Sequence, residues 1–232
     1  MRAGKGLASP GDGGQSRMRP HPRTPPLAAV ALVGVALCVA VALSACGGSS
    51  SQAASGDGGW RAADPLPAGL AGKPAPAFRL ADARGGTLSS SSLEGAPYAV
   101  TFLYTACPDV CPIIGEEIRR ALSELGPDAR RLRVVAISVD PRGDTPDAVR
   151  LWLRRHREPS NFHYLVGSRA ELQPVWKAYF AAPQIPGDPE SSHTAAIWLV
   201  DRRGRLAAKV SAGTPVAAPD LASDLHRLLE QR

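Results

Sequence analysis

The sequence predicts an α/β domain with parallel and antiparallel strands in one sheet, and three observations carry that prediction. Apolar runs of strand length alternate with stretches whose apolar residues recur at helical spacing. Two of the predicted helices open on clear cap signals, Thr145-Pro146 and Ser168 with Glu171. Near the C-terminus the alternation gives way to two strands across a tight turn, which adds an antiparallel element. The 232 residues have room for one or two domains, but the first third supplies little core material, so one domain is expected.

Residues 1–45 read as a secretory signal of the lipoprotein type. An uninterrupted apolar run over 27–43 follows Arg17, Arg19 and Arg23 and precedes small residues at a cleavage point. Leu43-Ser44-Ala45-Cys46 resembles a bacterial lipobox, which makes Cys46 the lipidated first residue of the mature chain. Met18 offers a second start with an ordinary basic flank. The alternative is an uncleaved anchor, because the run with its flanks approaches the roughly 20 residues that span a bilayer. Both readings put the domain on the extracytoplasmic face of the cell membrane. Residues 46–70, rich in Ser, Ala and Gly, then form a flexible tether to a domain over 71–232.

The formal net charge of +6 belongs mostly to the leader. Residues 1–45 hold five bases (Arg2, Lys5, Arg17, Arg19, Arg23) and one acid (Asp12), leaving 22 bases against 20 acids. A mature charge near +2 removes the case for nucleic acid as a partner.

Within the domain, residues 78–81 and 87–89 read as a short hairpin around Ala83-Arg84-Gly85-Gly86. Residues 98–104 form a buried strand, and 113–125 an amphipathic helix with Ile114, Ile118, Leu122 and Leu125 on one face. A second buried strand, 132–139, ends at Asp140-Pro141. Thr145 caps a helix with Pro146 at its first position, running to about residue 157. A third strand, 162–166, leads to the Ser168/Glu171 capping box and a helix to about residue 179. The loop 181–192 carries three prolines and a glycine. Strands 196–200 and 205–210 form a hairpin, and a helix over 219–231 closes the chain.

The most informative segment is Thr105-Ala106-Cys107-Pro108-Asp109-Val110-Cys111-Pro112, delivered off the end of the first buried strand. Residues i and i+4 share a helix face, so Cys107 and Cys111 can close a disulfide or chelate one soft metal ion. Pro112 belongs near a helix start, which sets the pair around a helix N-terminus, where the macrodipole favours thiolate. A disulfide over so short a loop adds little stability, so chemistry explains the pair better than stapling.

Three motifs in order, Phe102 to Pro112 with its two cysteines, Val139-Asp140-Pro141-Arg142-Gly143-Asp144-Thr145-Pro146, and Ser192-His193-Thr194 before residues 197–201, resemble the SCO/SenC family of copper chaperones. The resemblance runs from about Gly72 to the C-terminus. It implies a thioredoxin-like fold, a mixed central sheet flanked by helices, with an extra N-terminal β-hairpin. It also implies copper held by Cys107, Cys111 and His193 and delivered to the CuA centre of cytochrome c oxidase subunit II, with other copper chaperones as further partners. Ala106 departs from the family pattern, where Ser or Thr often precedes the first cysteine.

The chemistry of the residues agrees. Thiolates suit Cu(I) and imidazole accepts Cu(I) or Cu(II), so a Cys-Cys-His set can hold copper through a redox change, whereas structural zinc wants a fourth ligand. Among five histidines, His193 follows a loop, precedes a strand and is flanked by small residues; His156, His163 and His226 read as surface or packing residues, and His21 lies in the leader. Asp140 at a strand end is a turn former that can also orient groups around the metal, with Asp144 the weaker candidate. The competing function is a thiol-disulfide oxidoreductase in which Cys107 and Cys111 are a redox-active pair that reduces the CuA cysteines. Against it stand the Cys-x-x-x-Cys spacing and Ala195, which occupies the place where thioredoxin-like reductases carry a cis-proline.

Overall fold

The computed structural model describes residues 59–64, 66, 67, 69–185, 195–212 and 216–231. The signal segment, Cys46 and His193 lie outside the described residues, as does the predicted loop from residue 186 onward.

The described residues form an eight-stranded sheet in the order β1-β8-β7-β4-β5-β6-β2-β3. Its centre is β4 (Tyr98–Leu103), buried at every position, beside β5 (Arg133–Ser138) and β7 (Ala196–Val200). Strands buried on both faces must be apolar without alternation, which is how these three read. β5 runs parallel to β4, with Thr101 opposite Ala136, and to β6 (Phe162–Val166), with Ala136 opposite Tyr164. β7 is antiparallel to β4 and to β8 (Leu206–Ser211), with an irregularity at Leu199/Val200. Beyond β6, β2 (Arg79–Asp82) and β3 (Thr87–Ser89) pair antiparallel. At the opposite edge β1 (Ala63–Asp64) lies on β8.

Helices α1 (Val110–Leu125) and α2 (Pro146–Arg155) pack closely at Gly115, where a Cβ would stand 2.9 Å from the Trp152 ring and from Glu158 Oε1. α2 covers the face that carries Tyr164, whose ring lies 5.8 Å from that of Trp152. Strand alternation places Ala136, Ser138 and Thr101 on the same face. The other face carries Phe102 and Trp198, covered by Tyr179 just beyond α3 (Arg169–Ala178), with ring centroids 5.5 and 5.9 Å away. α4 (Ala218–Glu230) packs against α1.

The cap signals act as expected: Thr145 Oγ1 accepts from the Ala148 amide, and Ser168 and Glu171 complete a capping box. The chain between Trp60 and Asp64, inside the segment whose composition suggested a tether, is docked on the domain. Asp224 of α4 accepts from the Arg61 and Ala62 amides at 2.6 and 2.8 Å, and Trp60 lies under the Arg227 guanidinium.

Candidate metal centre

β4 ends at Leu103, and the next eight residues bring Cys107 and Cys111 to the C-terminal end of the parallel strands, where α/β folds place ligands. The turn begins with the Cys107 amide donating to Tyr104 O at 3.3 Å. Asp109 is the N-cap of α1, but its side chain makes no cap bond. The sulfur of Cys107 takes that place, accepting from the Cys111 amide at 3.3 Å. Pro112, at the third helical position, has no amide hydrogen to satisfy. A cysteine, a proline and a helix start therefore solve one another's hydrogen-bonding needs and fix both sulfurs on one side of the turn.

The two cysteines stand as thiols and differ in exposure: Cys107 is 7% exposed and Cys111 has no exposed surface. The lowering of thiol pKa expected at the helix terminus loses to burial at Cys111, whose pKa is pushed well above its ordinary range by desolvation and the neighbouring Cys107, against a backbone hydrogen bond from Tyr104. Tyr104 is also pushed up, first by burial and then by Cys107, Cys111 and Asp140.

Asp144, weighed in the sequence as the lesser aspartate, is the organiser of this end of the sheet. It is 3% exposed. Its Oδ1 accepts from the Thr105 amide at 2.7 Å and the Thr105 hydroxyl at 2.8 Å; its Oδ2 accepts from the Ser138 hydroxyl at 2.6 Å and the Tyr164 hydroxyl at 3.2 Å. The carboxyl group thus ties the cysteine turn to the end of β5 and the middle of β6. Burial raises its pKa, against the bonds from Ser138 and Thr105 and with help from Asp140. The signal in the sequence was the pairing of Thr105, two residues before Cys107, with an aspartate next to a helix cap.

Asp140 sits half-buried at the end of β5, its amide donating to Ser138 Oγ at 3.2 Å and its Oδ1 accepting from the Arg142 amide at 3.2 Å. A Cβ at Gly143 would meet the Asp140 carboxylate, which would have to turn aside. The charge of Asp140 reaches Tyr104 and Asp144. Among the described residues no group of three or more His, Cys, Asp or Glu side chains forms a metal cluster, and His193 lies outside them. His156, read as a surface or packing residue, stacks on Trp152 with centroids 4.2 Å apart. His163 pairs with Asp82 at 2.7 Å on β6 and β2. No helix among the described residues is long and apolar enough to cross a membrane.

Comparison with known proteins gives a consistent picture. Residues 69–230 match the family profile described as SCO1/SenC. A protein of Stutzerimonas stutzeri named for copper binding is 32% identical over 161 residues, 67% of this chain and 75% of its own. The copper-bound structure of ScoI from Bradyrhizobium japonicum is 34% identical, covering 68% of this chain and 100% of that one with a TM-score of 0.58. BsSco, described as a member of the Sco family of cytochrome c oxidase assembly proteins, superposes with a TM-score of 0.62 over 73% of this chain and 98% of its own, at 21% identity. These neighbours carry the thioredoxin-like arrangement of a central sheet flanked by helices that this chain shares.

Proposed function

The chain belongs to the SCO1/SenC family, and on that premise we propose that it is a membrane-tethered extracytoplasmic copper chaperone that binds copper through Cys107, Cys111 and His193. The observation that carries this reading is the thiol pair itself, two soft donors fixed on one turn by the Cys111 amide bond to Cys107 Sγ. β7 supports the third ligand: Ile197 lies opposite Thr101 of β4, antiparallel, so the chain enters β7 at the sheet end where β4 delivers the cysteines. Residue 193 is three residues upstream of Ala196, a covalent reach of at most about 11 Å. Asp140 is assigned the role of orienting groups around the metal. The client is the CuA centre of cytochrome c oxidase subunit II, a reading supported by the description of BsSco. Cys46 carries the lipid that holds the domain at the cell membrane.

A second reading, thiol-disulfide oxidoreduction on the client's cysteines, is favoured by one observation. Cys107 reaches the surface while Cys111 is enclosed, the arrangement of an attacking and a resolving thiol that close a disulfide after turnover.

Titration of the reduced protein with Cu(I), followed by thiolate-to-copper absorption, separates these readings when run beside an insulin-reduction assay. The chaperone reading expects stoichiometric binding, abolished in Cys107→Ser and Cys111→Ser, weakened in His193→Ala with Cu(II) affected most, and negligible reductase activity. Wild-type affinity in Cys107→Ser overturns it. Mass spectrometry of the mature N-terminus tests the anchor: a lipid on Cys46, lost in Cys46→Ala with metal binding intact.

A further inference from the structure

A groove of 240 Å³ runs beside the cysteine turn, lined by Thr105, Ala106, Cys107 and Pro112 on one side and by α2 and its cap on the other. The α2 wall is Ala148, Leu151, Trp152, Arg155 and His156. These positions repeat at three and four residues, so the groove follows the helix axis. Its two ends differ. Asp144 holds Thr105 one residue before the Thr145 cap, which sets the cysteine turn against the beginning of α2. Arg155 and His156 lie two turns further on, about 10 Å from Ala148 at 1.5 Å per residue.

The floor between these ends is apolar, with Trp152 buried beneath and Leu151 left 38% exposed. At the far end the charge is positive and uncompensated. Arg155 is exposed and has no ion-pair partner among the described residues. Glu116, the acid whose charge reaches His156, is already bound by Arg119 and Arg120 at 2.7 and 2.6 Å. At the near end Cys107 lines the groove, and the enclosed Cys111 does not.

We propose that this groove docks a small anionic thiol, the size of a di- or tripeptide with a cysteine and a free carboxylate, and that such a thiol is the copper donor to Cys107. The volume is below the roughly 300 Å³ at which drug-sized ligand pockets begin, so it suits a short peptide rather than a helix or a folded edge. The carboxylate meets Arg155, the methylene stem lies along Ala148, Leu151 and Trp152, and the sulfur faces Cys107. In the exchange, copper(I) leaves the donor sulfur as it bonds to the sulfur of Cys107. The Cys107 thiol proton passes to the departing thiolate, and copper keeps its charge throughout. This transfer rests on the copper-chaperone reading, while the docking does not.

The docking is tested without metal on the reduced full chain, by alkylation with iodoacetate or iodoacetamide and mass spectrometry of the Cys107 peptide. The ratio of anionic to neutral reaction rates should fall by about threefold or more in Arg155→Glu, from the reversal of one nearby charge, and should hold in Arg130→Glu, a substitution at an exposed residue of the 126–131 turn. An unchanged ratio in Arg155→Glu, or an equal fall in Arg130→Glu, overturns the proposal. The transfer is tested with Cu(I) complexes of Gly-Cys-Gly as its C-terminal free acid and as its C-terminal amide. Faster transfer from the free acid, lost in Arg155→Glu, supports the donor assignment, and equal rates overturn it. If the alkylation contrast holds but no copper binds, the groove stands and the chaperone reading falls.

Discussion

Two buried carboxyl groups, Asp144 at the site and Glu158 beside Gly115, have opposite circumstances. Asp144 is saturated with donors, and removing it strands the Thr105 amide and three hydroxyl groups in the interior. Asp144→Ala should cost roughly 3–5 kcal/mol, since each stranded buried group forfeits about 1 kcal/mol or more, and urea unfolding measures it. The same variant should bind Cu(I) more weakly because the turn before Cys107 loses its anchor. Glu158 is the reverse case: neither of its carboxylate oxygens has a hydrogen-bond partner, and burial pushes the group up from 4.5 to about 8, against Arg119 and Arg84. The folded state therefore keeps a proton between those values that the unfolded state has released. Stability from this group is lost as pH rises through that window and is level above it, by on the order of 5 kcal/mol in total. Glu158→Gln should remove this slope between pH 5 and pH 9 and unfold at higher urea than the parent at pH 9. Parallel losses in both proteins would place the slope elsewhere.

The α1–α2 contact depends on a missing side chain. A methyl group at Gly115 would enter the space of the Trp152 ring, which is 4% exposed, so a large buried ring would have to shift. Gly115→Ala should destabilise the fold by about 1–3 kcal/mol despite the better helix propensity of alanine, seen as a lower thermal midpoint. This glycine was not legible in the sequence, where it reads only as a weak point in a helix, because the reason for it sits on another element. What was legible followed from local chemistry: Thr145 with Pro146, Ser168 with Glu171, the apolar runs of β4 to β7, and the cysteine turn with its proline. The sulfur of Cys107 as a helix cap could not be read, since Asp109 stands at the cap position and is the residue type that usually serves. Asp144 was underweighted for a similar reason: its donors come from residues 105, 138 and 164, on three separate stretches of chain that only the folded sheet assembles.

At the scale of the whole molecule, the first and last described elements are joined. Asp224 is 1% exposed and spends both oxygens on the Arg61 and Ala62 amides. Composition alone marked this stretch as tether, because two residues of strand give no periodic signal and the partner is more than 160 residues away. Asp224→Ala should release residues 59–64 and speed proteolysis there, while the cysteine turn at the far side of β4 keeps its copper affinity. Equal proteolysis of the variant and parent would show that β1 holds without this carboxylate.

The sheet narrows at both margins, to two residues in β1 and three in β3, and its long penultimate strand β8 is covered piecemeal. Gly72 and Lys73 pair with Leu206, β1 pairs with Lys209 and Val210, and the Asp64 carboxylate accepts from the Ser211 amide. An open strand edge is a template for another chain. On the membrane tether proposed above, copies of this protein would meet face to face far more often than in dilute solution. Among the described residues the sheet offers no long bare margin, so such copies would crowd there without stitching into fibrils, and the thiols would remain available to cargo rather than to neighbours.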